Sequence, residues 1–438
     1  MRLLSEKGDM GEDVAKPLVA ADLEASLTVL GVPECERLAV AVSGGPDSLC
    51  LALLAAESRD VVCLIVDHGL RKESSEEATR TVELLVSHGV RAERLEWKAV
   101  KPAANVQAEA REARYELMGD WCQQNGVRYL LTAHHQDDQA ETLLLRLARG
   151  SGVYGLAAMA PARQILVNGE AITLIRPLLA FPKARLKQTL VDRGVAWVED
   201  PSNKAEQYDR VKVRKFLANP PLEGFRTERL AATAARLRRT RNALEFYEKE
   251  WLKACVTSLD DGSLLFDAGA MESAPEEIVL RGLSSMLRYV SGAHYVPRAE
   301  KLQRLVKAIL SHGFEGYTLY GVQIAPSGES GLVFFRELRA AEGRISAADG
   351  NCWDNRFEIS ARSDIAGLEI GPLGQKGWEQ VIQKWAEVRD IALPHVAKLA
   401  WPVVYDGENI IAIPHLKVAE ADDIGVSLSL KSHGWPKK

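Results

Sequence analysis

The chain has 438 residues, 47% of them apolar and 26% charged, with a formal net charge of −5. That length predicts two to four domains with ordinary cores. No run of 18 apolar residues occurs, which excludes a conventional membrane-spanning helix. The six cysteines, at 35, 50, 63, 122, 255 and 352, form no Cys-x-x-Cys pair, which excludes a zinc ribbon or disulfide framework and fits a cytoplasmic protein.

Met1–Lys16 mixes charges without an apolar signal core, so residues 1–24 read as a flexible extension and not a targeting peptide. Residues 37 to about 200 then alternate strands and helices. Leu38–Val42 is an apolar strand, followed by Ser43-Gly44-Gly45-Pro46-Asp47-Ser48 and a helix over Leu49–Ala56. Val61–Val66 is a second strand, closing on Asp67-His68-Gly69-Leu70-Arg71. Helix Ser75–His88, strand Arg91–Trp97 and helix Val106–Gln124 follow. Tyr129–Thr132 is a short strand ending in Ala133-His134-His135. A helix over Asp137–Ala148, strand Ile172–Ile175 and helix Pro182–Asp192 complete the series. Such alternation predicts a parallel sheet with covered faces, and ligands bind beyond the carboxyl ends of its strands. Three polar clusters, 43–48, 67–71 and 134–141, occupy those ends.

Past Pro201 the pattern changes. Long helices are expected over Phe225–Lys253, Pro275–Tyr289 and Arg298–Leu310, giving a helical domain over 225–312. Residues 313–355 read as a connecting segment, and 356–438 as a small mixed α/β domain with strands Trp401–Val404 and Ile410–Ile413.

The glycine turn between a buried strand and a helix suits a phosphate chain, because backbone approaches closely there and the helix N-terminus favours anions. It has neither the Gly-Lys-Ser/Thr ending of a Walker loop nor a third dinucleotide glycine. Ser43 and Ser48 offer hydroxyls. Bare phosphates repel Asp47, so its uses are a shared divalent cation or a helix cap. In the third cluster Asp137 and Glu141 lie one helical turn apart, with Asp138 three residues from Glu141. Recognition of a cation, a divalent metal site and a plain acidic helix start all remain open for it; the adjacent histidines lack the i, i+4 spacing of a zinc helix.

The Ser-Gly-Gly-x-Asp-Ser run resembles the pyrophosphate loop of the ATP pyrophosphatases that adenylate a substrate oxygen. His134-x-x-Asp137-Asp138-x-x-Glu141-Thr142 resembles the motif of the tRNA(Ile)-lysidine synthetases. Asp67-His68-Gly69-Leu70-Arg71, Ala110-Arg111-Glu112-Ala113-Arg114-Tyr115, Arg149-Gly150, Arg176-Pro177-Leu178-Leu179 and Glu199-Asp200-Pro201-Ser202-Asn203, followed by Arg210 and Arg214, match the same family collinearly over 38–214. The related tRNA thiolases add cysteine pairs that this chain lacks.

The resemblance implies a Rossmann-like α/β PP-loop domain over 25–218, then a helical tRNA-contacting domain and a C-terminal tRNA-binding domain. It implies ATP as substrate, Mg²⁺ as cofactor, L-lysine and an isoleucine tRNA as partners, and a homodimer. The reaction would join lysine to C2 of the wobble cytidine through an adenylated intermediate, releasing pyrophosphate and AMP. Asp47, Asp137, Asp138, Glu141, Arg111 and Arg114 are the catalytic candidates. Ala41, Ser43, Gly44, Gly45, Asp47, Ser48, Asp67, His68, Arg71 and His134 would hold ATP, with Asp47 at the metal. Asp137 and Glu141 would bind lysine. Between Arg210 and Arg241 ten basic residues face only two acids, Glu223 and Glu228, so Arg210, Arg214, Arg236, Arg238 and Arg239 suit RNA phosphates. Rival readings are another adenylating enzyme, such as a tRNA thiolase, and a non-catalytic RNA-binding protein.

Overall fold

The computed structural model describes residues 16–69, 73–98, 106–167, 170–197, 209–222, 224–293, 295, 297–328, 331–362, 367–420, 424–431 and 435. It divides into two units, 1–242 and 243–438.

The first unit is built on a six-stranded sheet in the order β3-β2-β1-β4-β6-β5. Its strands are β1 (Leu38–Val42), β2 (Val61–Asp67), β3 (Arg91–Glu96), β4 (Tyr129–Leu131), β5 (Ala162–Val167) and β6 (Glu170–Ile175). All neighbours are parallel except β5 and β6. The short apolar runs suit strands buried on both faces. Leu38, Val40 and Val42 enter one core with the helices α2 (Pro46–Ala56), α3 (Ser74–Ser87) and α7 (Lys183–Asp192). Ala39 faces the other, with Met118, Trp121 and Cys122 of α4 (Val106–Gln124). From β1 the chain builds outward to β2 and β3, then returns to place β4 on the other side of β1. This reversal opens a crevice beyond the carboxyl ends.

Two expectations are corrected in this unit. Residues 16–24 are not loose: α1 (Ala20–Val29) buries Leu23 and Leu27, and Leu18 joins the same core. The sheet is not wholly parallel, since β5 makes an antiparallel hairpin with β6. Its apolar run, Ile165-Leu166-Val167, is too short to read beside the exposed Arg163 and Gln164. The remaining helices of this unit are α5 (Gln136–Ala148), α6 (Val153–Leu156) and α8 (Asp209–Ala218), and α9 (Thr227–Cys255) begins in it.

In the second unit the expected helices α10 (Glu276–Ser291) and α11 (Ala299–Ile309) are present, but the region is not purely helical. Strands Val256–Ser258 and Leu264–Asp267 join three strands from Tyr317–Arg336 in a five-stranded antiparallel sheet. Residues 313–355 are therefore no mere connector. Their Val322, Ile324 and Phe334 form one core with Leu283 and Met286 of α10 and Leu305 of α11. A second five-stranded sheet, containing Leu368–Pro372, Pro402–Asp406 and Asn409–Ile413, and a three-stranded sheet complete the unit.

Candidate active site

The 43–48 loop is braced by its own side chains. Gly44 takes φ +79°, and Gly45 precedes Pro46, the first helical residue of α2. The Ser48 hydroxyl donates to the Gly45 carbonyl at 3.0 Å and accepts the Ser43 N–H at 3.1 Å. Ser48 thus ties the loop internally. The N–H groups of Gly44, Gly45, Asp47 and Ser48 remain to face a ligand; Pro46 has none.

Two cavities flank this loop. One, of about 350 Å³, is lined by Ala41, Ser43, Gly45, Asp47, Ser48, Arg111, Arg114, Tyr115, His134, Asp138, Arg210 and Arg214, with apolar floor from Leu64, Val66 and Met118. The other, of about 600 Å³, adds Gly44, His68, Thr81, Lys183 and Lys187. Residues from all three strand-end clusters and from four helices beyond them thus converge.

Asp47 stands between the cavities. Its Oδ2 lies 3.0 Å from Lys183 Nζ and 3.5 Å from His135 Nε2. Burial opposes its charge, yet the His135 ring and the Lys183 ammonium hold its pKa below the usual carboxylate range. Its Oδ1 is buried without a partner.

His135 bridges the loop to the acidic helix. Its Nε2 is also 3.5 Å from Asp138 Oδ2. At the start of α5 the His135 ring accepts the Asp138 N–H at 3.4 Å, and the Asp138 carboxylate accepts the His135 N–H at 3.1 Å, a reciprocal cap. Burial disfavours the imidazolium, but Asp47, Asp138 and Asp137 outweigh it and raise the pKa. His134 has the opposite fate. Burial, with repulsion from Arg176, Arg111 and Arg210, outweighs Asp138 and pushes its pKa down to about 4, and its Nδ1 pairs with Thr132 Oγ1 at 3.0 Å.

The three acids of the 134–141 cluster do different things. Asp138 lines the first cavity. Glu141, only 3% exposed, lies behind two arginines: Arg210 Nε at 2.6 Å and Arg214 Nε at 2.7 Å. Arg210 also reaches Asp138 at 2.6 Å, and these carboxylates raise its pKa against burial. Asp137 turns away and accepts the Lys183 N–H at 2.8 Å, so it caps α7. The expectation that Asp137 and Glu141 form one open binding face is corrected: each carboxylate is already committed to a cation or a helix start.

Arg114 donates to His68 Nε2 from two nitrogens, at 2.8 and 3.2 Å. Burial lowers its pKa. Arg111 donates to the Tyr115 hydroxyl at 3.2 Å and lies over its ring. Asp67 lines neither cavity. It accepts the Ser74 hydroxyl at 2.6 Å and the Gly69 N–H at 3.0 Å and pairs with Arg94, so it shapes the loop after β2. Leu70, Arg71 and Glu199–Asn203 lie outside the described residues. On α9, Arg236 and Arg239 are exposed, whereas Arg238 is half-buried and donates to the Met159 carbonyl.

Lys183 is the main residue missed in the sequence. A lysine in the first turn of a helix sits at the wrong end of the dipole. That misfit was the available signal that another partner holds it.

The first unit carries the PP-loop domain, whose family model matches residues 20–220. The tRNA(Ile)-lysidine synthase of Ruegeria pomeroyi is 37% identical over 384 residues, covering 86% of this chain and 88% of that one. The chain belongs to the tRNA(Ile)-lysidine synthase family. A second member, from Wolbachia sp. subsp. Brugia malayi, is 36% identical over 391 residues, covering 87% and 89%. Membership extends through both units, so the strand-rich second unit is part of the family's chain and not an appendage peculiar to this one.

Among the described residues no helix is long and apolar enough to cross a membrane, and no group of three or more His, Cys, Asp or Glu side chains can cage a metal. The unpartnered Asp47 Oδ1 nevertheless fits a Mg²⁺ held mainly by phosphate oxygens and water, which needs one or two carboxylates from the protein.

Proposed function

We propose that this chain uses ATP to join L-lysine to C2 of the wobble cytidine of an isoleucine tRNA. The observation that carries the reading is the bridge Asp47–His135–Asp138. It places the braced phosphate loop and the cavity-lining acid around one space large enough for several reactants.

In the first step the cytidine O2 attacks the α-phosphorus of ATP and the bond to pyrophosphate breaks. The N–H groups of Gly44, Gly45, Asp47 and Ser48, at the start of α2, receive the leaving pyrophosphate, assisted by Lys183 and Lys187. Asp47 Oδ1 would hold the Mg²⁺, which when bound neutralises phosphate charge. Arg111 and Arg114 border the same cavity and offset charge near the α-phosphate. The apolar patch of Leu64, Val66 and Met118 suits an adenine ring.

In the second step the lysine ε-amine attacks C2 and the C–O bond to AMP breaks. Asp138 orients the amine and takes its proton. Asp138 is favoured because it is the one acid of the cluster that lines the cavities; Asp137 caps α7 and Glu141 anchors Arg210 and Arg214. The target base reaches the cavity unstacked, as single-stranded RNA allows.

The test incubates the protein with ¹⁴C-lysine, Mg²⁺ and bacterial tRNA, with and without ATP. Label that requires ATP and survives mild base, which strips aminoacyl esters, is expected; Asp138→Ala abolishes it. No label from a folded, ATP-binding protein overturns the reading, and sulfur incorporation in its place would identify a thiolase.

A further inference from the structure

The chain gathers arginines that no carboxylate balances. Arg210 and Arg214 are matched by Asp138 and Glu141. Arg111, Arg163 and Arg176 have no carboxylate within ion-pair distance among the described residues, and their positions bring them together.

In the β5–β6 hairpin Arg163 is directly opposite Leu174, so the two side chains share a face of the sheet. Leu174 packs with Met118 and Trp121 of α4, and Ile165 and Val167 continue that face. Because β5 runs antiparallel, its first residues lie at the carboxyl end of β4 and β6, the end that carries the cavities. Arg176 directly follows β6, and Arg111 lies in the first half of α4. Arg111 is exposed with its one hydrogen bond on Tyr115. Arg176 is 6% exposed; it donates to the Ala160 carbonyl at 2.7 Å, and its Nε is buried without a partner. Burial lowers the Arg176 pKa; the nearby Tyr115 hydroxyl opposes this, and repulsion from Arg163 and Arg111 adds to it. Nearby, Arg146 donates to the Gly155 and Ala158 carbonyls and Arg238 to that of Met159, so they too hold their charge against dipoles and not acids.

Guanidiniums kept close at the expense of mutual repulsion create a local field for an anion. Neither Arg163 nor Arg176 lines the two cavities flanking the glycine loop, so the nucleotide triphosphate is not the anion they face. We propose that Arg163, backed by the buried Arg176, seats a phosphodiester of the RNA strand beside the target base. The seat fixes the strand's register at the mouth of the cavity and carries no base specificity. It rests on the tRNA reading above and adds to it Arg163, a residue outside the collinear motifs.

The test compares Arg163→Gln, Arg163→Glu and Arg163→Lys with the wild type. Arg163 is exposed and makes no side-chain hydrogen bond among the described residues, and equal melting temperatures check that folding does not need it. Isoleucine tRNA affinity is measured at 50 and 200 mM KCl, and ATP affinity separately. Loss of one phosphate contact lowers the slope of log affinity against log salt by about 0.7–0.9. The wild type then loses about threefold more affinity than Arg163→Gln between the two salts. Arg163→Lys keeps the wild-type slope, Arg163→Glu binds tRNA weakest, and ATP affinity is unchanged in all three. Wild-type tRNA affinity and slope in Arg163→Gln and Arg163→Glu overturn the proposal, as does a defect confined to ATP. If wild-type protein transfers no lysine, the functional reading fails, yet the salt slopes still report on the phosphate seat.

Discussion

Replacing Gly44 by alanine tests whether the shape of the phosphate loop, and not only its chemistry, matters. A Cβ at Gly44 would stand 2.7 Å from Thr81 Oγ1, in a backbone with φ +79°. The left-handed conformation costs an alanine about 1–2 kcal/mol. Thr81 donates its hydroxyl to the Glu77 carbonyl at 2.8 Å, and displacing it forfeits about 1 kcal/mol more. The sum, about 2–3 kcal/mol, corresponds to a fall in melting temperature of roughly 5–10 °C for a unit of this size. If the loop instead rearranges to avoid the strain, its N–H groups leave their common focus and ATP affinity drops about tenfold or more. Melting by circular dichroism and ATP binding by calorimetry separate the two. The double variant Gly44→Ala/Thr81→Ala removes the clash but keeps the conformational cost, so it recovers part of the loss. A Gly44→Ala protein with unchanged melting temperature and unchanged ATP affinity would refute the reasoning.

Lys183→Met removes the cation on Asp47 and one partner for pyrophosphate; the KM for ATP rises about tenfold, with tRNA affinity unchanged, as steady-state kinetics will show. Glu141→Gln leaves Arg210 and Arg214 without their shared anion, lowering stability by about 1–3 kcal/mol in denaturant unfolding and abolishing lysine transfer. Arg236→Glu with Arg239→Glu weakens tRNA binding in a filter assay and leaves ATP binding intact. His134 and His415 are each held neutral down to about pH 4 when folded, below the ordinary value of 6.5. The unfolded chain therefore takes up their protons first. Their contribution is complete above pH 6.5 and is lost as pH falls toward 4, by up to about 3 kcal/mol for His134. Melting temperatures across that range fall less steeply in His134→Gln; an equal slope would contradict the placement.

The loop and its flanking elements were legible because a buried apolar run, two glycines and a helix start constrain one another within a short stretch. The acidic helix was legible in position but not in partners. Spacing puts Asp137 and Glu141 one turn apart, yet only the tertiary arrangement brings the Lys183 amide to one and Arg210 and Arg214 to the other. Lys183 itself lies 136 residues from Asp47, beyond any local pattern. The strands Val256–Ser258 and Leu264–Asp267 are too short to show a period between long helices, so the region read as helical alone. At the N-terminus only Leu23 and Leu27 carry the i, i+4 spacing of a helix, too little to read beside Asp22 and Glu24.

The Ser48 tie has a thermodynamic corollary. Because that hydroxyl already closes the turn from within, the disorder surrendered in shaping the loop is lost when the chain folds, not when the nucleotide arrives. ATP should therefore meet a rigid receptor, with rapid association and little entropic penalty from this segment. In Ser48→Ala the same backbone amides persist, but the loop must be ordered by its guest, and binding becomes slower and more sensitive to temperature.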